Sequence, residues 1–124
     1  MRVPKKILLA DDSLTTLTMH RMMLAGTGYE LLTARDGQEA VEVATAQRPD
    51  LILMDVVMPR KTGFEAVRAL RNQEATKGIP VIMVTTRAEP RVIEICFQCG
   101  CSDFVNKPVD GAVLLAKVRG ILDN

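Results

Sequence analysis

The chain is poor in aromatic residues. Its 124 residues include no tryptophan, one tyrosine and three phenylalanines, so that aromatic residues make up 3% of the sequence. So few rings disfavour a platform on which bases or sugars would stack. The formal net charge is +1, so there is neither the basic excess of a nucleic-acid surface nor the acidic excess of a solvating tail. The length allows one domain with a core, and residues 1–124 are taken as that domain.

Long hydrophobic segments are also missing. No apolar run approaches the roughly 18–20 residues that a membrane-spanning helix requires. The apolar stretch at residues 7–10 follows a basic start but stops at Asp11 and Asp12, which makes it too short for a signal peptide. We therefore expect a cytoplasmic protein without membrane insertion.

Short apolar segments recur along the chain, at residues 7–10, 31–32, 51–54, 81–84 and, more weakly, 104–105. Several are continuous rather than alternating, which is typical of strands buried on both faces of a parallel sheet. Helix signals lie between them, including capping boxes that begin at Asp36 and Thr62. Five strand–helix repeats predict an α/β domain with right-handed crossovers and helices on both faces. The polar segment 72–78 is predicted as a loose connection.

Polar residues follow four of these strands. Ligands bind beyond the carboxyl ends of the strands in an open parallel sheet, so we expect these side chains to converge. The residues are Asp11, Asp12, Asp55, Thr85, Thr86 and Lys107.

Asp55 is the most informative of these residues, because it interrupts residues 51–58, which are otherwise entirely apolar. Three carboxylates in one cleft repel each other unless a cation joins them, and oxygen ligands of this kind suit Mg²⁺. A carboxylate held beside a metal and a lysine is a candidate nucleophile that would form an acyl phosphate. Lys107 and the metal would neutralise the phosphoryl oxygens, and a Thr85 hydroxyl could bond one of them.

The segments LLADDS, LILMDVVMPRKTGFE, VIMVTT and DFVNKP resemble the receiver domain of response regulators in bacterial two-component systems. The similarity covers nearly the whole chain, and single-domain chemotaxis and sporulation regulators match its shape best. The resemblance implies a flavodoxin-like, doubly wound five-stranded parallel sheet, (βα)5, with strand order 2-1-3-4-5. It also implies a phosphorylation-activated switch, which is not an enzyme beyond its own phosphoryl transfer and dephosphorylation.

The resemblance assigns roles to the residues around the acceptor. Asp55 would be the phosphoacceptor and would become 4-aspartylphosphate. Asp11 and Asp12 would be the acidic pair of the Mg²⁺ site, with Asp12 favoured as the direct ligand, and Asp55 would be a further ligand. The backbone carbonyl of Val57, two residues beyond the acceptor, would complete that site.

The resemblance also assigns the residues that read the phosphoryl group. Thr85 would be the switch hydroxyl, and Lys107 would be the phosphate-binding lysine, joined to Pro108 by a cis peptide. Phe104 stands where many receivers carry tyrosine, and this second switch residue can fill the same pocket without a hydroxyl to bond a partner.

The implied partners are proteins. A sensor histidine kinase or phosphotransfer protein would supply the phosphoryl group. A downstream protein target would bind the face formed by helix four, strand five and helix five. We expect a monomer that does not bind DNA directly, with chemotaxis or motility as the setting favoured by resemblance alone.

Three neighbours of the site depart from common receiver patterns. Thr86 replaces a small alanine and would narrow access to the phosphate. Val57 gives an attacking water no hydrogen-bond partner, and Arg87 cannot easily serve as a base. Our hypothesis is that the phosphorylated form lives longer than in fast chemotaxis regulators.

Two other groups of residues invite functional interpretations. Cys96, Cys99 and Cys101 resemble half of a thiolate metal site, but they are interpreted as small buried residues, and their odd number fits a reducing compartment. His20 is interpreted as a residue of a helix surface or partner face. The methionines beside it, Met19, Met22 and Met23, suit either a core or an adaptable docking surface.

Three other functions remain to be weighed. A haloacid-dehalogenase-type hydrolase needs an Asp-x-Asp-x-Thr motif after the first strand, where this chain has Asp11-Asp12-Ser13. A flavodoxin-like FMN protein needs a phosphate loop rich in Ser, Thr and Gly and rings to sandwich the flavin, and both are missing from the sequence. A degenerate receiver that only docks other proteins is disfavoured by the complete set of acidic, hydroxyl and lysine residues.

Overall fold

The computed structural model describes residues 3–86 and 89–123, in which strands and helices alternate five times. The strands are β1 Lys6–Ala10, β2 Glu30–Ala34, β3 Leu51–Asp55, β4 Val81–Thr85 and β5 Asp103–Asn106. The helices are α1 Leu14–Met23, α2 Gly37–Gln47, α3 Gly63–Arg71, α4 Pro90–Cys99 and α5 Gly111–Leu122.

The strands form one parallel sheet in the order β2-β1-β3-β4-β5, which confirms the predicted flavodoxin-like topology. Every residue of the central strands β3 and β4 is buried, because helices cover both faces of the sheet there. The edge strands β2 and β5 are partly exposed, which explains why their apolar signals in the sequence are weaker.

Alternate strand residues feed two separate cores. On one face of the sheet, Leu8, Ile52 and Met83 pack in a cluster with residues of α2, α3 and α4. On the other face, Ile7 and Ile82 pack in a cluster with residues of α1 and α5. The two helical layers hold the strands rigidly, so that the carboxyl ends of the strands form a fixed edge.

The helix starts follow from local capping chemistry. Thr62 and Glu65 form a reciprocal capping box at α3, as predicted. Asp36 caps α2 by accepting the Glu39 backbone N–H at 2.7 Å, while the Glu39 carboxylate accepts from the Arg35 N–H instead of from Asp36. These caps determine where the loops that follow β2 and β3 end and the next helices begin.

The segment between α3 and β4 is not loose, contrary to the sequence-based expectation. The guanidinium of Arg71 donates to the backbone carbonyls of Lys77, Ile79 and Gly100 at 3.1, 2.8 and 3.0 Å. The buried Thr76 hydroxyl donates to the Leu70 carbonyl at 2.7 Å. The polar segment between α3 and β4 is therefore a turn that specific hydrogen bonds hold in place.

Among the described residues, no helix combines the length and the apolar character needed to span a bilayer.

Candidate functional site

Three aspartates meet at the carboxyl edge of the sheet. Asp55 is the last residue of β3, and Asp11 and Asp12 directly follow β1, its neighbour in the sheet. A carboxylate oxygen from each lies within 4.8 Å of the others. Asp11 and Asp55 are buried, with 2% and 7% of their surface exposed, whereas Asp12 is exposed. The predicted convergence of the three carboxylates is therefore present.

Lys107 links the two buried carboxylates. It follows β5, and its backbone N–H donates to the Thr85 carbonyl at 2.8 Å, which aims the residue at the same edge. Its Nζ lies 2.8 Å from Asp11 Oδ2 and 3.3 Å from Asp55 Oδ2. Burial acts to lower the pKa of Lys107, but the hydrogen bond to Asp11 and the charges of both aspartates outweigh it and raise the pKa. The two aspartates thus favour the charged form of the lysine in the cleft.

Asp55 is an unusually basic carboxylate. Burial and the charge of Asp11 raise its pKa to about 6, although Lys107 and the backbone N–H of Val57 act to lower it. Near pH 7, three carboxylates then face one ammonium, which leaves a net negative charge. A divalent cation with oxygen ligands would balance that charge, so the donor set fits Mg²⁺.

The remaining predicted site residues surround this cluster. Thr85 is buried at the end of β4, next to β3 in the sheet. Val57 has 74% of its surface exposed, and Thr86 is exposed beside the cleft. Arg87 lies outside the described residues. The Lys107–Pro108 peptide is cis, as the resemblance implied.

Phe104 lies on β5, half-buried between α4 and α5. Its ring meets the ring of Phe97 edge to face, with centroids 6.4 Å apart at 88°. Lys117 places its Nζ 6.0 Å from the centroid of the Phe104 ring and also pairs with Asp103 at 2.9 Å. The ring is therefore held by an aromatic and a cationic neighbour on the α4–β5–α5 face.

The interpretation of His20 as a surface residue is wrong. Its side chain is buried, because His20 lies on the inner face of α1 with Leu17 and with the C-cap residue Leu24, at i, i+3 and i+7. That spacing was visible in the sequence and could have revealed the burial. His20 lines a cavity of about 120 Å³ together with Lys107 and Pro108. Burial lowers its pKa, although the charge of Asp11 acts to raise it.

The methionines beside His20 differ in exposure. Met22 is 72% exposed and Met19 is 47% exposed, whereas Met23 is half-buried and packs against the core between the sheet and α5. Two of the three methionines therefore remain available on the outer face of α1.

The cysteines are buried, in agreement with their interpretation as small core residues. Cys96, Cys99 and Cys101 pack in the core beside α4. Within the part of the chain that the structure describes, the group that could hold a metal is the aspartate cluster, not the thiols. Burial raises the pKa of Cys101 to about 12, which is the opposite of a reactive thiolate.

Comparison with protein families assigns the fold and the site to one family. The model of the response regulator receiver domain matches residues 7–119. The chain belongs to this family. Membership rules out the hydrolase and flavoprotein alternatives, and makes the chain a signalling domain of a two-component system.

Single-domain response regulators are among its relatives. Protein PilH of Pseudomonas aeruginosa is 38% identical over 117 residues, which cover 94% of this chain and 97% of PilH. The polar-differentiation response regulator DivK of Brucella anthropi is 32% identical over 120 residues, covering 97% of this chain and 98% of DivK. Other relatives are longer: the chain spans 48% of the Bacillus subtilis regulator PhoP and 17% of the Vibrio cholerae sensor kinase CqsS.

Solved receiver structures are also similar. The chemotaxis protein CheY4 of Vibrio cholerae superposes with a TM-score of 0.90 at 37% identity, covering 97% of this chain and all of CheY4. The receiver domain of a Pseudomonas aeruginosa sensor histidine kinase, with a TM-score of 0.90 and 34% identity, covers 98% of this chain and 100% of that one. That structure holds a magnesium ion in its active-site cleft. Receiver domains bind Mg²⁺ in an acidic pocket and interact with histidine kinases or phosphotransfer proteins.

Proposed function

We propose that this protein is a phosphorylation-activated switch in which Asp55 accepts the phosphoryl group. The observation that carries the proposal is the placement of Lys107, whose Nζ lies 2.8 Å from Asp11 and 3.3 Å from Asp55 within a cluster of three carboxylates. In the proposed site, Asp11, Asp12, Asp55 and the Val57 carbonyl hold Mg²⁺. The ion supplies positive charge that offsets the charge of the transferring group.

The chain's own residues provide the remaining chemistry. A carboxylate oxygen of Asp55 attacks the phosphorus of a phosphohistidine, the phosphorus–nitrogen bond breaks, and the imidazole leaves and takes a proton from solvent. Lys107 exchanges its contact with Asp55 for a phosphoryl oxygen, and the Thr85 hydroxyl donates to another. These residues accelerate one transfer and its hydrolysis, so the protein acts as a switch instead of turning over a separate substrate.

The signal would leave through the α4–β5–α5 face, where Phe97, Phe104 and Lys117 lie together. Movement of Thr85 toward the phosphoryl group opens space beside β5, and the Phe104 ring shifts into it. A downstream protein would read the changed face. Chemotaxis or motility is the proposed setting, supported by the chemotaxis response regulator CheY4 among the similar structures.

We further propose that the domain acts in the cytoplasm as a monomer, without direct contact to DNA. Its near-neutral net charge of +1 supports the absence of a nucleic-acid surface. Sedimentation with and without phosphorylation tests the monomer, and a shift to a dimer after labelling would contradict it.

Labelling with acetyl phosphate tests the acceptor. We expect a mass gain of one phosphoryl group that requires Mg²⁺ and disappears in Asp55→Asn. Asp50→Asn is the matched control, because Asp50 lies at the opposite end of β3, where its carboxylate accepts the Lys6 N–H at 2.8 Å. A wild-type protein that is not labelled would instead favour a degenerate receiver that only docks other proteins. If the wild-type protein is labelled, a phosphotransfer profile against the kinases of the source organism identifies the donor.

The lifetime of the phosphorylated form is part of the same proposal. The exposed Val57 side chain offers a water no hydrogen-bond partner, and the exposed Thr86 side chain narrows the approach to the phosphoryl group. We expect slow decay after acetyl phosphate is removed, and faster decay in Val57→Asn and Thr86→Ala. A wild-type half-life of a few seconds would contradict this part while leaving the acceptor assignment intact.

A further inference from the structure

We infer that residues 35–37, which are the β2–α2 loop and the first residue of α2, position both loops that carry the proposed Mg²⁺ ligands, with Arg35, Asp36 and Arg60 acting as positioning residues. This inference rests on the proposed Mg²⁺ site and adds to it residues that touch neither the metal nor the phosphoryl group. The loop contacts the segment after β1, which holds Asp12, and the segment after β3, which holds Val57.

Arg35 holds the first of these segments. Its guanidinium donates to the backbone carbonyl of Asp12 from Nη2 at 3.2 Å and more weakly from Nε at 3.4 Å. The backbone of Arg35 is itself anchored, because its N–H donates to the Glu39 carboxylate at 2.7 Å. Asp12 is the exposed member of the aspartate cluster, and this contact restrains the backbone that carries its side chain.

Asp36 and Gly37 hold the second segment. Arg60 makes a two-pronged ion pair with the Asp36 carboxylate, with Nε at 2.9 Å from Oδ2 and Nη2 at 3.2 Å from Oδ1. Arg60 has a left-handed backbone with φ of 66°, so an external contact helps to hold it there. The backbone carbonyl of Lys61 packs so tightly on Gly37 that a Cβ at that position would overlap it.

The direction of the change in Mg²⁺ affinity distinguishes a positioning role of the two arginines from a purely electrostatic one. Arg35 and Arg60 are cations near a cation site, so removing either charge would tighten Mg²⁺ binding if electrostatics alone mattered. If the two arginines hold the ligand-bearing loops in place, removing them weakens Mg²⁺ binding despite the lost repulsion. Substitution of groups that orient metal ligands commonly lowers the affinity for the metal about 10–100-fold. Because these arginine side chains are exposed, we expect a smaller loss of about 3–10-fold.

The test is titration of the metal-free full chain with Mg²⁺ alone, followed by calorimetry, for wild type, Arg35→Gln and Arg60→Gln. Asp36→Asn joins the set because asparagine still caps α2 but weakens the ion pair with Arg60. Lys77→Gln is the control, since it removes a cation from an exposed pair with Glu74 in the connection between α3 and β4, outside these loops. Melting in EDTA shows whether any variant is generally destabilised.

We expect Arg35→Gln and Arg60→Gln to bind Mg²⁺ about 3–10-fold more weakly, with melting temperatures in EDTA as close to wild type as that of Lys77→Gln. The effects of Asp36→Asn and Arg60→Gln on Mg²⁺ affinity should not be additive in the double variant, because both substitutions weaken the same ion pair. Lys77→Gln, which lies outside these loops, should bind Mg²⁺ with the wild-type affinity. Equal or tighter Mg²⁺ binding by both arginine variants would overturn the inference alone. A wild-type protein that binds no Mg²⁺ would overturn the proposed site as well.

Discussion

Asp55 is a carboxylate placed where its charge is unfavourable. It ends a fully buried strand and shares the cleft with Asp11, and these two features raise its pKa to about 6. A protein that only needed to fold would gain by replacing it with a neutral residue. This cost agrees with the proposed role of Asp55, because perturbed carboxylates in a cleft are candidates for functional groups.

We expect Asp55→Asn to stabilise the metal-free protein at pH 7.5. A carboxyl whose pKa is raised on folding contributes stability below about pH 4, and loses it as the pH rises through 6. Asparagine avoids that loss, so the variant should be more stable by about 1–3 kcal/mol at pH 7.5 and nearly equal to wild type at pH 4. Urea unfolding in EDTA measures the difference. A variant less stable than wild type at pH 7.5 would contradict the electrostatic cost, and Asp50→Asn serves as control.

His20 offers a second test at the scale of one residue. It is the single histidine of the chain, so its ring protons can be followed by NMR without ambiguity. Burial lowers its pKa, and we expect a titration midpoint below the ordinary value of 6.5 in the metal-free protein. Folding then disfavours the charged imidazolium, so the contribution of His20 to stability is lost as the pH falls below 6.5. An unshifted midpoint would show that the side chain is solvated.

At the scale of secondary-structure elements, the sequence predicts the central strands better than their connections. β1, β3 and β4 are continuous apolar runs buried on both faces, so composition alone locates them. The connection after α3 is polar and looked loose, because the contacts of Arg71 depend on where β4 and the end of α4 are placed. Long-range hydrogen bonds of this kind leave no periodic signal in the sequence.

We expect Arg71→Met to lower the free energy of unfolding by about 2–4 kcal/mol. The variant leaves three backbone carbonyls without the charged donor that now reaches each of them. Arg68→Met is the matched control, because Arg68 is an exposed residue of the same helix. Chemical unfolding of both variants gives the comparison. Equal stability of the two would mean that water replaces the guanidinium without loss.

The site is predictable from the sequence for the same reason as the central strands. Asp11, Asp55 and Lys107 directly follow or end strands of known order, so topology alone brings them to one edge. The finer arrangement is not predictable. Whether Lys107 lies closer to Asp11 or to Asp55 depends on distances of a few tenths of an ångström. The contacts of residues 35–37 with the loops after β1 and β3 depend on side-chain positions in two loops.

For the molecule as a whole, the metal site should couple stability to both Mg²⁺ and protons. A ligand that binds only the folded state stabilises it by about 2.7 kcal/mol at a concentration 100 times its Kd. At pH 7.5, Asp55 is ionised and available, whereas at pH 5 a carboxyl with a pKa of about 6 is mostly protonated. If Mg²⁺ binds at the proposed site, protons and the ion compete for the same oxygen atoms of Asp55.

We therefore expect a fixed Mg²⁺ concentration to raise the melting temperature clearly at pH 7.5 and much less at pH 5. In Asp55→Asn, Mg²⁺ should raise the melting temperature only slightly at both pH values. The amide does not titrate, and it attracts the ion less strongly than a carboxylate does. Thermal unfolding at matched ionic strength measures this, with Na⁺ balancing the added salt so that screening is constant. The same Mg²⁺ effect at both pH values would mean that the ion binds without Asp55, and would remove the link between the basic carboxylate and the metal.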